Sequence, residues 1–228
     1  INSSMIDFQQ YITEGVYDPN IFKAFFLAGG PGSGKSYVTN RTTAGMGLKL
    51  VNSDIRFENY LKKAGLSLKM PDREADKRDP LRNKAKVVTG DQMDLYVRGR
   101  LGLVIDATGR DYDIINKQRS MLRMLGYDTY MMFVNTSLDV ALERNRTRTR
   151  TVPVDIATKS WNVVQSNIGR FQNLFGTGSM IVVDNNNASE DTLNKVYTRI
   201  RGLVRQPVQN YVAKKWMERE LAKKRNAR

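Results

Sequence analysis

The stretch GGPGSGKS, residues 29–36, constrains this chain more than any other part of its sequence. An apolar run, AFFLA, leads into it, and a segment that can form a helix follows it. Glycines allow backbone angles that turn consecutive N–H groups inward, and they place no Cβ in front of a bound anion. A helix beginning near Lys35 adds the positive end of its dipole. The spacing therefore predicts a phosphate-binding loop between a strand and a helix.

This loop predicts that the ligand is a nucleoside triphosphate, with ATP and Mg²⁺ as the expected cofactors. Lys35 is expected to reach the β- and γ-phosphates, and the Ser36 hydroxyl is expected to ligate the metal. A glycine-rich linker is the alternative, but the strand and helix on either side favour the loop. The residues expected to hold the nucleotide are Gly30, Pro31, Gly32, Ser33, Gly34, Lys35, Ser36 and Tyr37.

Composition narrows the chemistry that the chain can perform. The 228 residues contain no cysteine and no histidine, which excludes disulfides, thiolate nucleophiles and zinc–cysteine sites. A general base must then be a carboxylate or a lysine, and metal ligands must be oxygens. No run of 18 apolar residues and no secretion signal is visible, so we expect a cytoplasmic protein without a membrane span.

The net charge indicates a class of partner. Lys and Arg number 37 against 23 Asp and Glu, a formal charge of +14, and such an excess attracts polyanions and nucleotides. Residues 211–228 are rich in Lys and Arg and could form an amphipathic helix that frays into a basic tail. We expect nucleic acid as a partner, the alternative being a protein with an ordinary basic surface.

Apolar runs alternate with helical segments along the chain, which predicts an α/β fold with a five-stranded parallel sheet and helices on both faces. Residues 70–80 are charged and bounded by prolines, so they are expected to form a surface excursion. We expect a 1–20 extension, a 21–204 P-loop domain and a 205–228 basic helix or tail. The predicted strands are 21–27, 48–51, 101–105, 130–134 and 180–183, and the predicted helices are 35–45, 54–65, 84–98, 111–125, 137–146, 155–174 and 189–204.

Polar residues follow the predicted strands, at the edge where ligands bind in open α/β sheets. Asp54 follows the second strand and could accept a proton from an acceptor hydroxyl, or it could cap the next helix. Asp106 follows the third strand and could hold Mg²⁺ or position the acceptor, with Thr108 and Arg110 just beyond it. An aspartate that ends a strand in a turn is the alternative.

Two further stretches carry candidate nucleotide contacts. The segment LERNRTRTRTVP places Arg144, Arg146, Arg148 and Arg150 at alternate positions, where guanidinium groups could clamp a transferring phosphoryl group. A solvated basic loop is the alternative. Asp184 and Asn185 end the last strand, either beside a purine base or in an Asx turn. Asp106-Ala-Thr-Gly109 looks like the Asp-x-x-Gly of GTPases, and Asn116-Lys117 begins an Asn-Lys-x-Asp guanine motif. Neither is a GTPase element, because Arg119 stands where the guanine-reading aspartate belongs and the two stretches are too close in sequence.

With these motifs, the chain resembles the P-loop kinases of the polynucleotide kinase and zeta-toxin group. GGPGSGKS, NSDIRF and LERNRTRTRTVPVDI are similar to polynucleotide kinases. That likeness implies Asp54 as base, Arg144 and Arg148 on ATP phosphates, and Arg56 on an acceptor phosphate. Asp106-x-Thr108-x-Arg110 is similar to the Glu-x-Thr-x-Arg of zeta toxins, which phosphorylate UDP-N-acetylglucosamine, and Arg150 would be the lid arginine. The resemblance implies an adenylate-kinase-like sheet, and a viral origin is a further suggestion.

The expected function is an ATP- and Mg²⁺-dependent kinase that phosphorylates a hydroxyl, preferably the 5′ end of a nucleic acid. Lys35, Asp54, Arg144, Arg148 and Arg150 are the expected catalytic residues. A kinase of a UDP-sugar or another small nucleotide is the second hypothesis. A nucleotide-dependent binding protein without transfer activity is the third.

Overall fold

The computed structural model describes residues 15–148 and 151–226. Its five strands form one parallel sheet in the order β2-β3-β1-β4-β5, which confirms the predicted fold class. The part of the 1–20 extension before Gly15 lies outside the described residues. The strands are β1 (Lys23–Ala28), β2 (Lys49–Val51), β3 (Leu103–Asp106), β4 (Asp128–Asn135) and β5 (Met180–Asp184).

Helices cover both faces of this sheet. Within the described residues, none of them is long and apolar enough to span a membrane. They are α1 (Lys35–Thr43), α2 (Ser53–Lys63), α3 (Ala75–Arg98), α4 (Tyr112–Met124), α5 (Leu138–Thr147), α6 (Val154–Ser166), α7 (Ile168–Phe175), α8 (Glu190–Arg205) and α9 (Tyr211–Asn226).

The central strand β1 contributes to the hydrophobic core on both faces of the sheet. All six of its residues are buried, and their side chains alternate between two apolar clusters. Phe26 faces the cluster that includes α4, α6 and α7, whereas Phe25 and Leu27 face the cluster built with α1 and α8. A strand that is covered on both faces reads as a continuous apolar run, which is why the sequence marks it so clearly.

Two predicted segments differ from the structure by more than two residues or in kind. The loop predicted over 70–80 is wrong from Ala75 onward, because α3 begins there and contains Pro80 in its early turns. The single helix predicted over 155–174 is two helices that meet at Asn167. The Asn167 N–H bonds to Val164 O, three residues back, and this tighter turn ends α6.

The C-terminal helix α9 packs at the amino ends of β1 and β4. Trp216 lies edge-on to Phe22, with ring centroids 5.5 Å apart, and the Arg100 guanidinium lies 4.2 Å from the Trp216 ring centroid. Asp128 accepts the N–H groups of Gln209 and Asn210, both at 2.9 Å, and so holds the residues that lead into α9. The predicted helix is confirmed, and it lies at the end of the sheet opposite the carboxyl ends of the strands.

The Asp128 carboxylate also pairs with Lys23 at 3.0 Å, and the Lys23 side chain is 0% exposed. Burial lowers the pKa of Lys23, and the hydrogen bond and charge of Asp128 oppose that shift. This pair therefore joins the start of β1, the start of β4 and the approach to α9.

We expect Asp128→Ala to lower the free energy of unfolding by about 3–5 kcal/mol, because it leaves a buried ammonium group without its counter-ion. Lys23→Met is the matched control. It should cost less, because Asp128 keeps two backbone donors. Urea denaturation measures both, and equal losses from the two variants would contradict this account of the pair.

Candidate active site

A cleft of about 680 Å³ opens at the carboxyl ends of β1, β2 and β3. Parallel strands bring their carboxyl ends to one edge of the sheet, so residues that are distant in sequence meet there. Its walls are the loop after β1, the start of α2, the loop after β3 and the end of α5. The predicted residues that line it are Gly30, Pro31, Gly32, Ser33, Gly34, Lys35, Ser36, Tyr37, Asp54, Asp106, Thr108, Arg110, Arg144 and Arg148.

The glycines of the phosphate loop are required by both conformation and space. Gly32 and Gly34 have φ angles of 80° and 82°, in the left-handed region that other residues rarely adopt. An added Cβ on Gly32 would lie 2.0 Å from the Ala141 carbonyl oxygen, and one on Gly34 would lie 2.4 Å from the Asn185 side-chain nitrogen. The loop therefore lies directly against α5 and the residue after β5.

Helix α1 begins at Lys35, immediately after this loop, and no side chain in the described chain caps it. Its first N–H groups have no partner within the helix and are available to an anion. The Lys35 ammonium donates to Gly29 O at 2.7 Å. Burial lowers the pKa of Lys35, Asp106 and Asp54 oppose this shift, and Arg148 adds to it. A bound phosphate would favour the charged lysine.

Asp54 and Asp106 are brought together by Asn52. The Asn52 side chain accepts the N–H groups of Asp54 and Ile55, so Asn52 and not Asp54 caps α2. The same side chain donates to Asp106 Oδ2 at 2.8 Å. Asp54 in the first turn of α2 and Asp106 at the end of β3 therefore face one cleft.

The residues present fit a magnesium ion. Asp106 Oδ1 is buried and has no hydrogen-bond partner in the described structure, and Ser36 lines the same cleft. No group of three or more acidic residues in the described ranges forms a separate metal cage. Magnesium is commonly held by one or two carboxylates together with substrate phosphates, and these oxygens match that pattern.

Only some of the arginines in and just after α5 face the cleft. Arg144 and Arg148 are four residues apart and line the cleft, whereas Arg146 pairs with Glu143 at 3.1 Å, outside the lining. Arg144 donates to Asn186 O at 3.0 Å, and its buried Nη1 has no partner within the described residues. That nitrogen is a donor available to a phosphate. Arg150 lies outside the described residues.

The loop after β3 is held against the phosphate loop in a strained conformation. Thr108 has a φ of 54°, which is rare for a β-branched residue, and its carbonyl accepts the Gly29 N–H at 3.0 Å. Asn167, at the junction of α6 and α7, donates to the carbonyls of Gly109 and Arg110, both at 3.1 Å. The junction that interrupts the predicted long helix therefore positions the loop that carries Thr108 and Arg110.

Besides Arg146, three predicted site residues do not line the cleft. Arg56 donates to Gln92 Oε1 at 2.7 Å and ties α2 to α3. Asp184 accepts the N–H of Asn186 in an Asx turn. Asn185 is buried and donates to Ser33 O at 2.7 Å, so it supports the phosphate loop from behind.

Three residues in or beside the cleft were not predicted as site residues from the sequence. Glu58 lies one helical turn after Asp54 and lines the same wall, which the i, i+4 spacing could have indicated. Asn52 carries an N-cap signature, an Asn directly before a helical segment, but its bond to Asp106 has no sequence signal. Asn145 exchanges two bonds with the backbone of Val152 and closes the base of the arginine loop.

The sequence pattern of a family described as an AAA domain matches residues 25–171, more than half of the chain. No curated protein matches the chain significantly. A Chloroflexus aurantiacus protein, described only provisionally as a kinase, is similar in fold, with a TM-score of 0.54, 14% identity, and coverage of 81% of this chain and 97% of that one.

Two other solved structures share the fold. One belongs to the PezAT toxin–antitoxin system of Streptococcus pneumoniae, with a TM-score of 0.53, 15% identity, and coverage of 94% of this chain and 92% of that one. The other is a chain of the Pnkp1/Rnl/Hen1 RNA repair complex, with a TM-score of 0.52, 18% identity, and coverage of 67% of this chain and 47% of that one. At these identities the likeness concerns the fold.

We expect Gly32→Ala to abolish ATP binding and to destabilise the protein, because its new methyl group meets the Ala141 carbonyl. Gly65→Ala is the matched control: Gly65 also has a positive φ, 67°, but its Cβ would meet nothing within 4 Å. That variant should lose only about 1–2 kcal/mol and keep ATP binding. Calorimetric titration with ATP and urea denaturation distinguish them, and normal ATP affinity in Gly32→Ala would contradict the assigned loop geometry.

Proposed function

Because the chain belongs to the AAA-domain family of P-loop kinases, we propose that it transfers the γ-phosphate of ATP to a hydroxyl group, most favourably the 5′-hydroxyl of a nucleic acid. One observation carries this proposal. Lys35, three carboxylates and three arginines line a single cleft at the carboxyl edge of the sheet. Those are the parts that phosphoryl transfer requires: charge stabilisation, a proton acceptor and positioning.

Asp54 is the proposed base. It accepts the proton of the acceptor hydroxyl while the hydroxyl oxygen forms a bond to the γ-phosphorus. The bond from that phosphorus to the β–γ bridging oxygen breaks, and ADP is released. Lys35 and the backbone of the loop hold the β- and γ-phosphates. Arg144 and Arg148 neutralise charge on the transferred group.

Ser36 and Asp106 would hold Mg²⁺, which neutralises phosphate charge when it is bound. Asn52 keeps the Asp106 carboxylate in place through Oδ2 and leaves Oδ1 free for that role. Arg150 remains a proposed lid arginine on the strength of the resemblance alone. Asn185 is better explained as a support of the loop, and Asp184 as part of an Asx turn, than as contacts to a base.

We prefer nucleic acid as the acceptor because the protein is strongly basic. Only basic residues near the cleft can contact the acceptor there. The basic helix α9 lies at the opposite end of the sheet, so it does not contribute to the cleft. Arg110 lines the cleft and is not one of the residues assigned to the ATP phosphates. The second candidate, a kinase of a small sugar nucleotide, is favoured by the Asp106-x-Thr108-x-Arg110 segment, all three residues of which line the cleft.

We expect Asp54→Asn to keep ATP affinity and to lower kcat by about 10²–10⁴-fold, because the amide cannot take the hydroxyl proton. Transfer of labelled γ-phosphate measures the rate, and calorimetry measures ATP binding. Glu58→Gln is the matched control on the same helix face, and it should retain most activity. A large loss in Glu58→Gln with normal transfer in Asp54→Asn would move the base to Glu58.

An acceptor screen with γ-labelled ATP separates the candidate functions. We expect label on 5′-hydroxyl oligonucleotides, with binding that weakens as salt rises by a logarithmic slope of about 0.7 per phosphate contacted. Label on a UDP-sugar, with no oligonucleotide product, would support the second candidate. Release of label to water alone, with no phosphorylated acceptor, would indicate a nucleotide-dependent binding protein.

A further inference from the structure

A second cleft, of about 960 Å³, adjoins the first and shares Asp106, Thr108 and Arg110 with it. It extends away from the phosphate loop, between α3 on one side and the start of α4 on the other. A molecule lying there would present one end to Asp106 and to the ATP cleft. The position suits the molecule that receives the phosphoryl group.

One stripe of α3 forms a wall of this second cleft. The stripe consists of Arg82, Lys86, Thr89, Gly90 and Met93, whose spacing of three to four residues places them on a single helix face. Arg82 lies with its guanidinium 4.5 Å from the centre of the Phe57 ring, and its Nη2 donates to Met70 Sδ at 3.8 Å, so the group is held at this wall by neutral partners. This wall was not indicated by any motif in the sequence.

Three of the four basic residues that line this cleft have no carboxylate partner within the described residues. Neither Arg82, Lys86 nor Arg110 lies within 4.0 Å of a carboxylate in residues 15–148 and 151–226. The three acids of the same cleft have other partners: Asp106 accepts a hydrogen bond from Asn52, Asp111 caps α4, and Asp113 lies 4.0 Å from Arg170. Unpaired cations around a cavity attract an anionic ligand.

Two neighbouring residues of the stripe, Thr89 and Gly90, also indicate a ligand, independently of charge. Thr89 is 7% exposed, and its hydroxyl has no hydrogen-bond partner in the described structure, although buried polar groups are normally bonded. Gly90 follows it in the middle of a helix, where glycine is unfavourable, and a Cβ there would meet nothing within 4 Å. No packing contact among the described residues therefore requires a glycine at 90.

We propose that the α3 stripe is the acceptor-recognition surface, and that Arg82, Lys86 and the Thr89 hydroxyl bind a phosphate group of the acceptor that is not transferred. Arg110 completes the anion site from the opposite wall, and Gly90 lets the acceptor approach the helix backbone. This inference rests on the proposed kinase function. It specifies an acceptor that carries a phosphate near the reacting hydroxyl, as an internal phosphate of a nucleic acid does.

The test compares thymidine 3′-phosphate with thymidine as acceptors for γ-labelled ATP. We expect the wild-type protein to prefer the phosphate-bearing acceptor. Lys86→Gln should raise the KM for thymidine 3′-phosphate by about tenfold or more, since a hydrogen bond between charged groups is lost, while the KM for ATP stays unchanged. Lys84→Gln is the matched control, because Lys84 is on the same helix but lies over the Tyr60 ring and not in the cleft.

Filling the space above Gly90 gives a second measurement that does not depend on charge. Gly90→Leu should raise the KM for thymidine 3′-phosphate and leave the melting temperature unchanged or higher, because leucine favours the helix. Gly202→Ala, at another helical glycine with open space, controls for the effect of helix propensity.

Equal use of thymidine and thymidine 3′-phosphate by the wild-type protein would overturn the inference and leave the kinase assignment intact. The same KM in Lys86→Gln and Lys84→Gln would do so too. If the wild-type protein transfers label to no acceptor in the broader screen, the kinase assignment itself fails and the inference fails with it.

Discussion

The structure depends on a backbone turn that must face a phosphate on one side and protein on the other. Residues 29–36 line the cleft on one side, while the opposite side of the turn rests on the Ala141 carbonyl, the Asn185 amide and Trp161. Contacts this close exclude a Cβ at Gly32 and Gly34. The protein itself therefore packs against the loop in this conformation, and a preformed set of donors loses little entropy on binding a phosphate.

The order of the strands decides what surrounds that turn. Strands β3 and then β2 lie on one side of β1, so Asp106 and Asp54 follow neighbouring strands and face the cleft with Lys35. Strands β4 and β5 lie on the other side, and the residues that follow β5 support the loop from behind. Polar residues that follow strands thus line the proposed active site on one side of β1, and on the other side they support the phosphate loop.

Charge is divided between two ends of the molecule. Arginines at the end of α5 and in the loop after β3 line the first cleft. Helix α9 instead places its basic residues at the amino ends of the strands, where Asp128 and Trp216 anchor it. The formal charge of +14 is therefore a sum over separate surfaces, and it does not by itself describe the acceptor site. The unpaired cations of the second cleft bear more directly on the acceptor.

The sequence by itself determined the phosphate loop and the five strands, because each is a short-range pattern set by backbone conformation or by strand period. The pair Arg144 and Arg148 was predicted from the resemblance to polynucleotide kinases. Only the tertiary structure decided the roles of Arg56, Asn185 and Asn52, whose bonds join residues 36, 152 and 54 positions apart. The direction of a side chain at a strand end depends on which neighbour it meets. That neighbour is fixed by the order of strands and the packing of helices, neither of which leaves a local mark on the chain.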